Sequence, residues 1–150
     1  MINAEILAKD CVFAGLEEQV FETNQTDGER YSLLLVEDNT DLCFLLGNKL
    51  KNEFEVKTSD GTDAVEKALA EIPDIIVCDV NLPGKNGFEI CEILKNDLRT
   101  SHIPIILLTA LDNKESNLQG LKSGVDLYLT KPFSYPILVQ SLRGLLYNLS

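Results

Sequence analysis

Four places in the sequence carry side chains that could do chemistry together: Glu37-Asp38, Asp79, Thr109 and Lys131. Each closes a short apolar run. Leu33-Leu34-Leu35-Val36 precedes Glu37, Ile75-Ile76-Val77-Cys78 precedes Asp79, Ile105-Ile106-Leu107-Leu108 precedes Thr109, and Leu127-Tyr128-Leu129 leads to Lys131-Pro132. Two carboxylates about 4 Å apart repel by about 4 kcal/mol at an effective dielectric near 20. Three of them in one pocket must therefore take up protons or hold a cation. All-oxygen ligation favours Mg2+, which keeps some of its waters and accepts phosphate oxygens. Lys131 adds a second positive charge on a flexible stem, and Thr109 adds a hydroxyl donor. Such a set suits phosphoryl transfer, in which positioning and charge neutralisation do nearly all the work. Singly, each residue has an ordinary explanation: Thr109 ends a strand, Lys131 lies on the surface, and Glu37-Asp38-Asn39 caps a helix. The shared position at strand ends is what favours a common site.

The elements that would position these groups are legible as periodicities. Apolar runs of buried-strand length begin at Leu33, Ile75 and Ile105, Phe54-Glu55-Val56-Lys57 alternates as a strand should, and Leu127-Tyr128-Leu129 makes a fifth, short strand. Helical spacing links Leu42, Leu45, Leu46 and Leu50, then Val65, Ala68, Leu69 and Ile72, then Cys91, Leu94 and Leu98. Asp112 with Glu115 resembles a capping box, and Gly124 suits that helix's end. Ser134 caps a last helix that has Pro136 in its first turn and Leu138, Leu142, Leu145 and Leu149 on its inner face. Strands that read as continuous apolar runs are buried on both faces, as parallel sheets require. Five such strands alternating with five helices predict an open α/β sheet covered on both sides. Ligands of such sheets bind beyond the carboxyl ends of the strands, where four of the five ends carry useful groups. The second strand ends in Lys57-Thr58-Ser59-Asp60, with no obvious role.

Composition narrows the alternatives. The 150-residue chain suits one domain with a tail, and its formal charge of −11 argues against direct nucleic-acid binding. No apolar run approaches the roughly 18 residues of a membrane span, and the first residues do not read as a secretory signal. Cys11, Cys43, Cys78 and Cys91 form no C-x-x-C, and His102 is the only histidine, so structural zinc is not expected. Cys43, Cys78 and Cys91 fall in apolar periodic segments and read as buried free thiols, which fits a reducing cytoplasm. Residues 1–30 differ from the rest, with seven acids against Lys9 and Arg30. The stretch from Asn24 to Glu29 reads as a linker, and Phe13, Leu16 and Val20 have the spacing of a short amphipathic helix. The expected division is an acidic leader or linker over 1–30 and a domain over 31–150.

From about Tyr31 to Tyr147 the chain resembles the receiver domain of bacterial response regulators in two-component systems. The resemblance is carried by four motifs in order: Leu35-Val36-Glu37-Asp38-Asn39, Asp74 to Pro83 around Asp79, Leu107-Leu108-Thr109-Ala110, and Gly124 to Phe133 with Lys131-Pro132. It implies a doubly wound, flavodoxin-like parallel sheet of order 2-1-3-4-5 and a cis peptide bond at Lys131-Pro132. It implies Asp79 as phosphoacceptor. Glu37, Asp38, Asp79 and the backbone carbonyl of Asn81 would be the Mg2+ ligands, with Lys131 and Thr109 on the phosphoryl group. The donor would be a histidine kinase or a histidine phosphotransfer domain. Thr109 and Tyr128 would form a switch that alters the face made by the fourth helix, fifth strand and fifth helix, through which a homodimer could also form. Leu111 holds a position that in this family tunes loss of the phosphoryl group. The segment Leu94 to Pro104 resembles receivers embedded in hybrid sensor kinases, so a piece of such a protein is one expectation.

Competing readings fare less well. A phosphohydrolase of the haloacid-dehalogenase type also uses a strand-end aspartate and Mg2+, but needs a second acid two residues on, where this chain has Asn81. A degenerate receiver that binds partners without phosphorylation would not need the intact acidic pair, acceptor, threonine and lysine. The expectation is thus a phosphoacceptor signalling domain rather than an enzyme, limited to its own phosphotransfer and slow self-dephosphorylation.

Overall fold

Leu33 to Val36, Ile75 to Cys78 and Ile105 to Leu108 are all buried, because these three strands lie inside the sheet with helices over both faces. The computed structural model describes residues 30–110 and 124–148. Its strands are β1 (Ser32–Val36), β2 (Glu55–Ser59), β3 (Ile75–Asp79), β4 (Ile105–Ala110) and β5 (Leu127–Lys131). They form one parallel sheet in the expected order, β2-β1-β3-β4-β5. The described helices are α1 (Thr40–Leu50), α2 (Ala64–Glu71), α3 (Gly87–Lys95) and α4 (Tyr135–Asn148). The helix expected after Asp112, together with Glu115, Leu111, Leu149, Cys11 and the leader's Phe13, Leu16 and Val20, lies outside the described residues. None of the described helices is long and apolar enough to cross a membrane.

Alternation of side chains along each strand divides the core in two. Leu33, Leu35, Ile75, Val77, Ile106 and Leu108 face α1 and α4, where Leu42, Leu46, Leu138 and Leu142 meet them. Leu34, Val36, Ile76, Cys78, Ile105 and Leu107 face α2 and α3, against Ala64, Ala68, Phe88, Cys91 and Leu94. The helix starts are locally encoded. Asn86 accepts the Glu89 N–H (3.0 Å) while the Glu89 carboxylate accepts the Asn86 N–H (2.9 Å), a complete capping box at α3. Asn86→Ala is expected to cost about 1 kcal/mol of stability, read from chemical denaturation midpoints. At α4 the Ser134 hydroxyl accepts the Ile137 N–H (3.4 Å), as its position predicts.

Several boundaries depart from the periodicities. Leu98, expected on the inner face of α3, is 92% exposed because α3 stops at Lys95. Asp97 competes with the helix there: its carboxylate accepts the Arg99 backbone N–H (2.9 Å) and the Arg99 guanidinium (2.8 and 3.0 Å). The buried Thr100 hydroxyl then donates to the Leu94 carbonyl (2.7 Å) and closes the helix end. Ile72 leaves the stripe of α2 for a left-handed conformation (φ 44°), as Pro73 behind it disfavours the α region. Phe54 precedes β2 rather than opening it; its N–H closes α1 on the Leu50 carbonyl (2.8 Å) and its ring is buried. In α4, Val139 and Leu146 are buried where the spacing had favoured Leu145, which is only partly covered. Of the described cysteines, Cys78 and Cys91 are buried. Cys43 is only half-buried, because it faces Thr58 on the edge strand β2, where cover is thinner.

Candidate functional site

The strand ends converge as the sheet rule requires. Val36 pairs with Cys78, Asp79 with Leu108, Thr109 with Thr130, and Ala110 with Lys131. In a parallel sheet this register brings the residues at the ends of β1, β3, β4 and β5 to one rim. Glu37 is still held by the ladder, its N–H donating to the Ser59 carbonyl (2.9 Å). One residue further, Asp38 is exposed. Oxygens of Glu37, Asp38 and Asp79 all lie within 4.8 Å of one another. The Lys131 ammonium reaches Asp79 Oδ2 at 3.3 Å, and Lys131-Pro132 is cis. The Asn81 N–H donates to Asp79 Oδ1 at 3.3 Å, while the Asn81 side chain is exposed.

Burial gives these groups their electrostatics. Glu37 and Asp79 are 3% and 4% exposed. Burial first, and then the neighbouring Asp79 charge, push the Glu37 carboxyl up to about 8, against the pull of Lys131 and of the Asn39 amide. Among the described residues two buried side-chain oxygens have no hydrogen-bond partner, Glu37 Oε1 and Thr109 Oγ1. Buried polar atoms are normally satisfied; here the two exceptions are both residues of the strand-end set. An acceptor oxygen without a donor beside two more carboxylates fits a hard divalent cation such as Mg2+. A buried hydroxyl without an acceptor on β4 fits an incoming oxyanion.

The capping alternative holds for one residue only. Asn39 accepts the Leu42 N–H (3.0 Å) at the start of α1, and its own N–H donates to Glu37 Oε2 (3.1 Å). The cap thus orients Glu37 and leaves the carboxylate of Asp38 out of the helix. Tyr128 is not part of the cluster: half-buried on β5, it stands edge-on to Phe88 of α3 (6.4 Å, 84°). Leu111 lies outside the described residues. His102 is exposed and takes no part in the acidic cluster.

Gly87 was not foreseen. A Cβ there would lie 2.8 Å from Val80 Cα and collide with the Asp79 carbonyl oxygen. Its N–H donates to the Val80 carbonyl (2.9 Å), so α3 begins pressed against the backbone at the end of β3. The available signal was glycine at the first position of a capped helix, where its low helix propensity is otherwise unexplained.

Residues 33–143 match the model of the response regulator receiver domain. The chain is 44% identical over 115 residues to the response regulator PleD of Caulobacter vibrioides, covering 75% of this chain and 25% of that protein. It is 34% identical over 134 residues to histidine kinase P4 of Formosa agariphila, covering 89% of this chain and 10% of that one. The chain thus spans a quarter or less of these relatives' length. Among solved structures it is similar to the chemotaxis response regulator CheY4 of Vibrio cholerae (29% identity, TM-score 0.70, 76% of this chain and 97% of that one). It is also similar to the BeF3-activated DrrB receiver domain (33% identity, TM-score 0.71, 79% and 98%).

Proposed function

Since this chain belongs to the response regulator receiver domain family, the phosphoacceptor modules of two-component signalling, we propose that its acceptor is Asp79. Asp79 Oδ attacks the phosphorus of a phosphohistidine on a histidine kinase or histidine phosphotransfer domain. An O–P bond forms to Asp79 as the N–P bond breaks, and the imidazole leaves with the electron pair. The observation that carries this reading is the convergence of three carboxylates and the Lys131 ammonium on one rim, with Asp79 nearly buried among them.

Each neighbour has a part in the transfer. Glu37, Asp38, Asp79 and the Asn81 backbone carbonyl would hold Mg2+. When bound, the ion supplies neutralisation of the carboxylates and of the charge on the phosphoryl oxygens. Lys131, 3.3 Å from Asp79, holds the acceptor oxygen and stays to pair with the phosphoryl group. Thr109 offers the hydroxyl that has no protein acceptor. The Asn81 N–H holds the other Asp79 oxygen and fixes the direction of attack. After transfer, Thr109 donates to the new oxyanion. Tyr128, packed on Phe88, then follows it, altering the face made by β5 and α4. That face is also where a homodimer would form.

Residues 31–150 are proposed as the module and 1–30 as its acidic leader or linker. A reducing cytoplasm is the proposed setting, in which the buried thiols of Cys78 and Cys91 would stay reduced. No reaction beyond phosphoryl uptake and its slow hydrolysis is assigned to the domain. The test is incubation of the whole chain with acetyl phosphate, followed by intact mass. With Mg2+ one phosphoryl adduct is expected; with the divalent ion chelated, none. No adduct in Mg2+ would remove the proposal.

A further inference from the structure

The end of β2, to which no chemistry could be assigned from its sequence, touches both acid-bearing loops of the site. Ser59 is buried, and its carbonyl accepts the Glu37 N–H (2.9 Å). Its hydroxyl donates to Asp63 Oδ1 (2.6 Å) and accepts the Gly61 N–H (3.0 Å). This holds Gly61 in a left-handed conformation (φ +107°) with its Cα side turned to Leu82. A Cβ at Gly61 would lie 3.3 Å from Leu82 Cδ1 and 3.5 Å from its Cβ. Leu82 follows Asn81 directly and is buried in the cluster that contains Val36, Ala64 and Val80. The Asn81 N–H in turn holds Asp79.

We propose that the Ser59–Gly61 turn and Leu82 form a strut that positions the Asn81 backbone, and thereby sets the divalent-cation affinity of the acidic pocket. The inference rests on the phosphoacceptor reading above, because it takes the Asn81 carbonyl as a ligand. The loop after β3 has two anchors: the N–H of Asn81 on Asp79, and Leu82, buried beside Gly61 where any side chain at that glycine would crowd it. Only the second is independent of the carboxylate that must also bind the cation and receive the phosphoryl group. Outer groups that orient ligands commonly change metal affinity ten- to a hundredfold when lost. Leu82, Gly61 and Ser59 are therefore positioning residues; none of them touches the reacting atoms.

The test titrates the whole chain with Mn2+, as a spectroscopic substitute for Mg2+, and counts free ion by electron paramagnetic resonance. Leu82→Ala is expected to weaken binding about tenfold, and the near-isosteric Leu82→Met to retain it. Ser59→Ala, a milder change that removes no packed side chain of size, should shift affinity in the same direction by a smaller factor. Leu142→Ala truncates the opposite core cluster; it should lower the thermal midpoint while leaving Mn2+ affinity unchanged. Hydrogen exchange at the Asn81 amide without metal should quicken in Leu82→Ala and not in Leu142→Ala. The strut is refuted if Leu82→Ala and Ser59→Ala bind Mn2+ like the wild type, or if Leu142→Ala loses as much affinity as Leu82→Ala. Wild type binding no Mn2+ at all would overturn the phosphoacceptor reading together with the strut, which separates the two failures.

Discussion

Asp79→Asn is expected to abolish the phosphoryl adduct while leaving the fold in place. An asparagine amide is neutral and nearly the same shape, so β3 keeps its backbone pairing with β1 and β4. What goes is the nucleophilic oxygen, the ion pair with Lys131 at 3.3 Å and one of three converging carboxylates. Transfer of this kind has little covalent chemistry besides the nucleophile and much electrostatics. Intact mass after incubation with acetyl phosphate and Mg2+ should show no adduct for Asp79→Asn, and a full one for Asp41→Asn, an exposed carboxylate in the first turn of α1. Circular dichroism should be that of the wild type in both. An undiminished adduct in Asp79→Asn would move the acceptor to another carboxylate.

Gly87→Ala is expected to be the most damaging single-methyl change to stability. The added Cβ would meet the Asp79 carbonyl oxygen and lie 2.8 Å from Val80 Cα. Both are backbone atoms, and the Val80 N–H is itself committed to the Leu108 carbonyl (2.9 Å). No rotamer change relieves the clash; either α3 slides outward or the end of β3 moves with Asp79 on it. Overpacking of this kind costs about 3 kcal/mol, a fall of about 12 °C in the thermal midpoint of a domain this size. Gly144→Ala makes the contrast. Gly144 sits exposed in α4 with nothing within 4 Å of a built Cβ, so the same methyl should add up to about 1 kcal/mol through helix propensity. Denaturation of both variants checks the pair. A Gly87→Ala protein within about 1 kcal/mol of wild type would show that the helix start can yield.

The site residues were legible because each had to end a strand whose apolar run announced it. Glu37, Asp79, Thr109 and Lys131 needed no more than that rule and the parallel register to be placed together. The resemblance supplied what periodicity could not, the strand order and the cis bond at Pro132. The boundaries that failed did so where a side chain competed with the helix. Leu98 has the right spacing to continue α3, yet Asp97 and Thr100 take the hydrogen bonds that would extend it. Ile72 has the right spacing for α2, yet the proline behind it forbids the conformation. Such outcomes are differences of a few hydrogen bonds, and helical periodicity does not measure them.

The sequence by itself determined the class of sheet, the rim at which the polar strand-end groups gather, and the kinds of groups available there, since all three follow from which residues are apolar and which interrupt them. Only the tertiary structure decided that Glu37 is buried and its neighbour Asp38 is not, that Gly87 lies against the backbone at the end of β3, and that Gly61 after β2 lies beside Leu82. Those facts depend on distances between segments far apart in the chain, and a pattern along one strand or helix holds no information about what will pack against it.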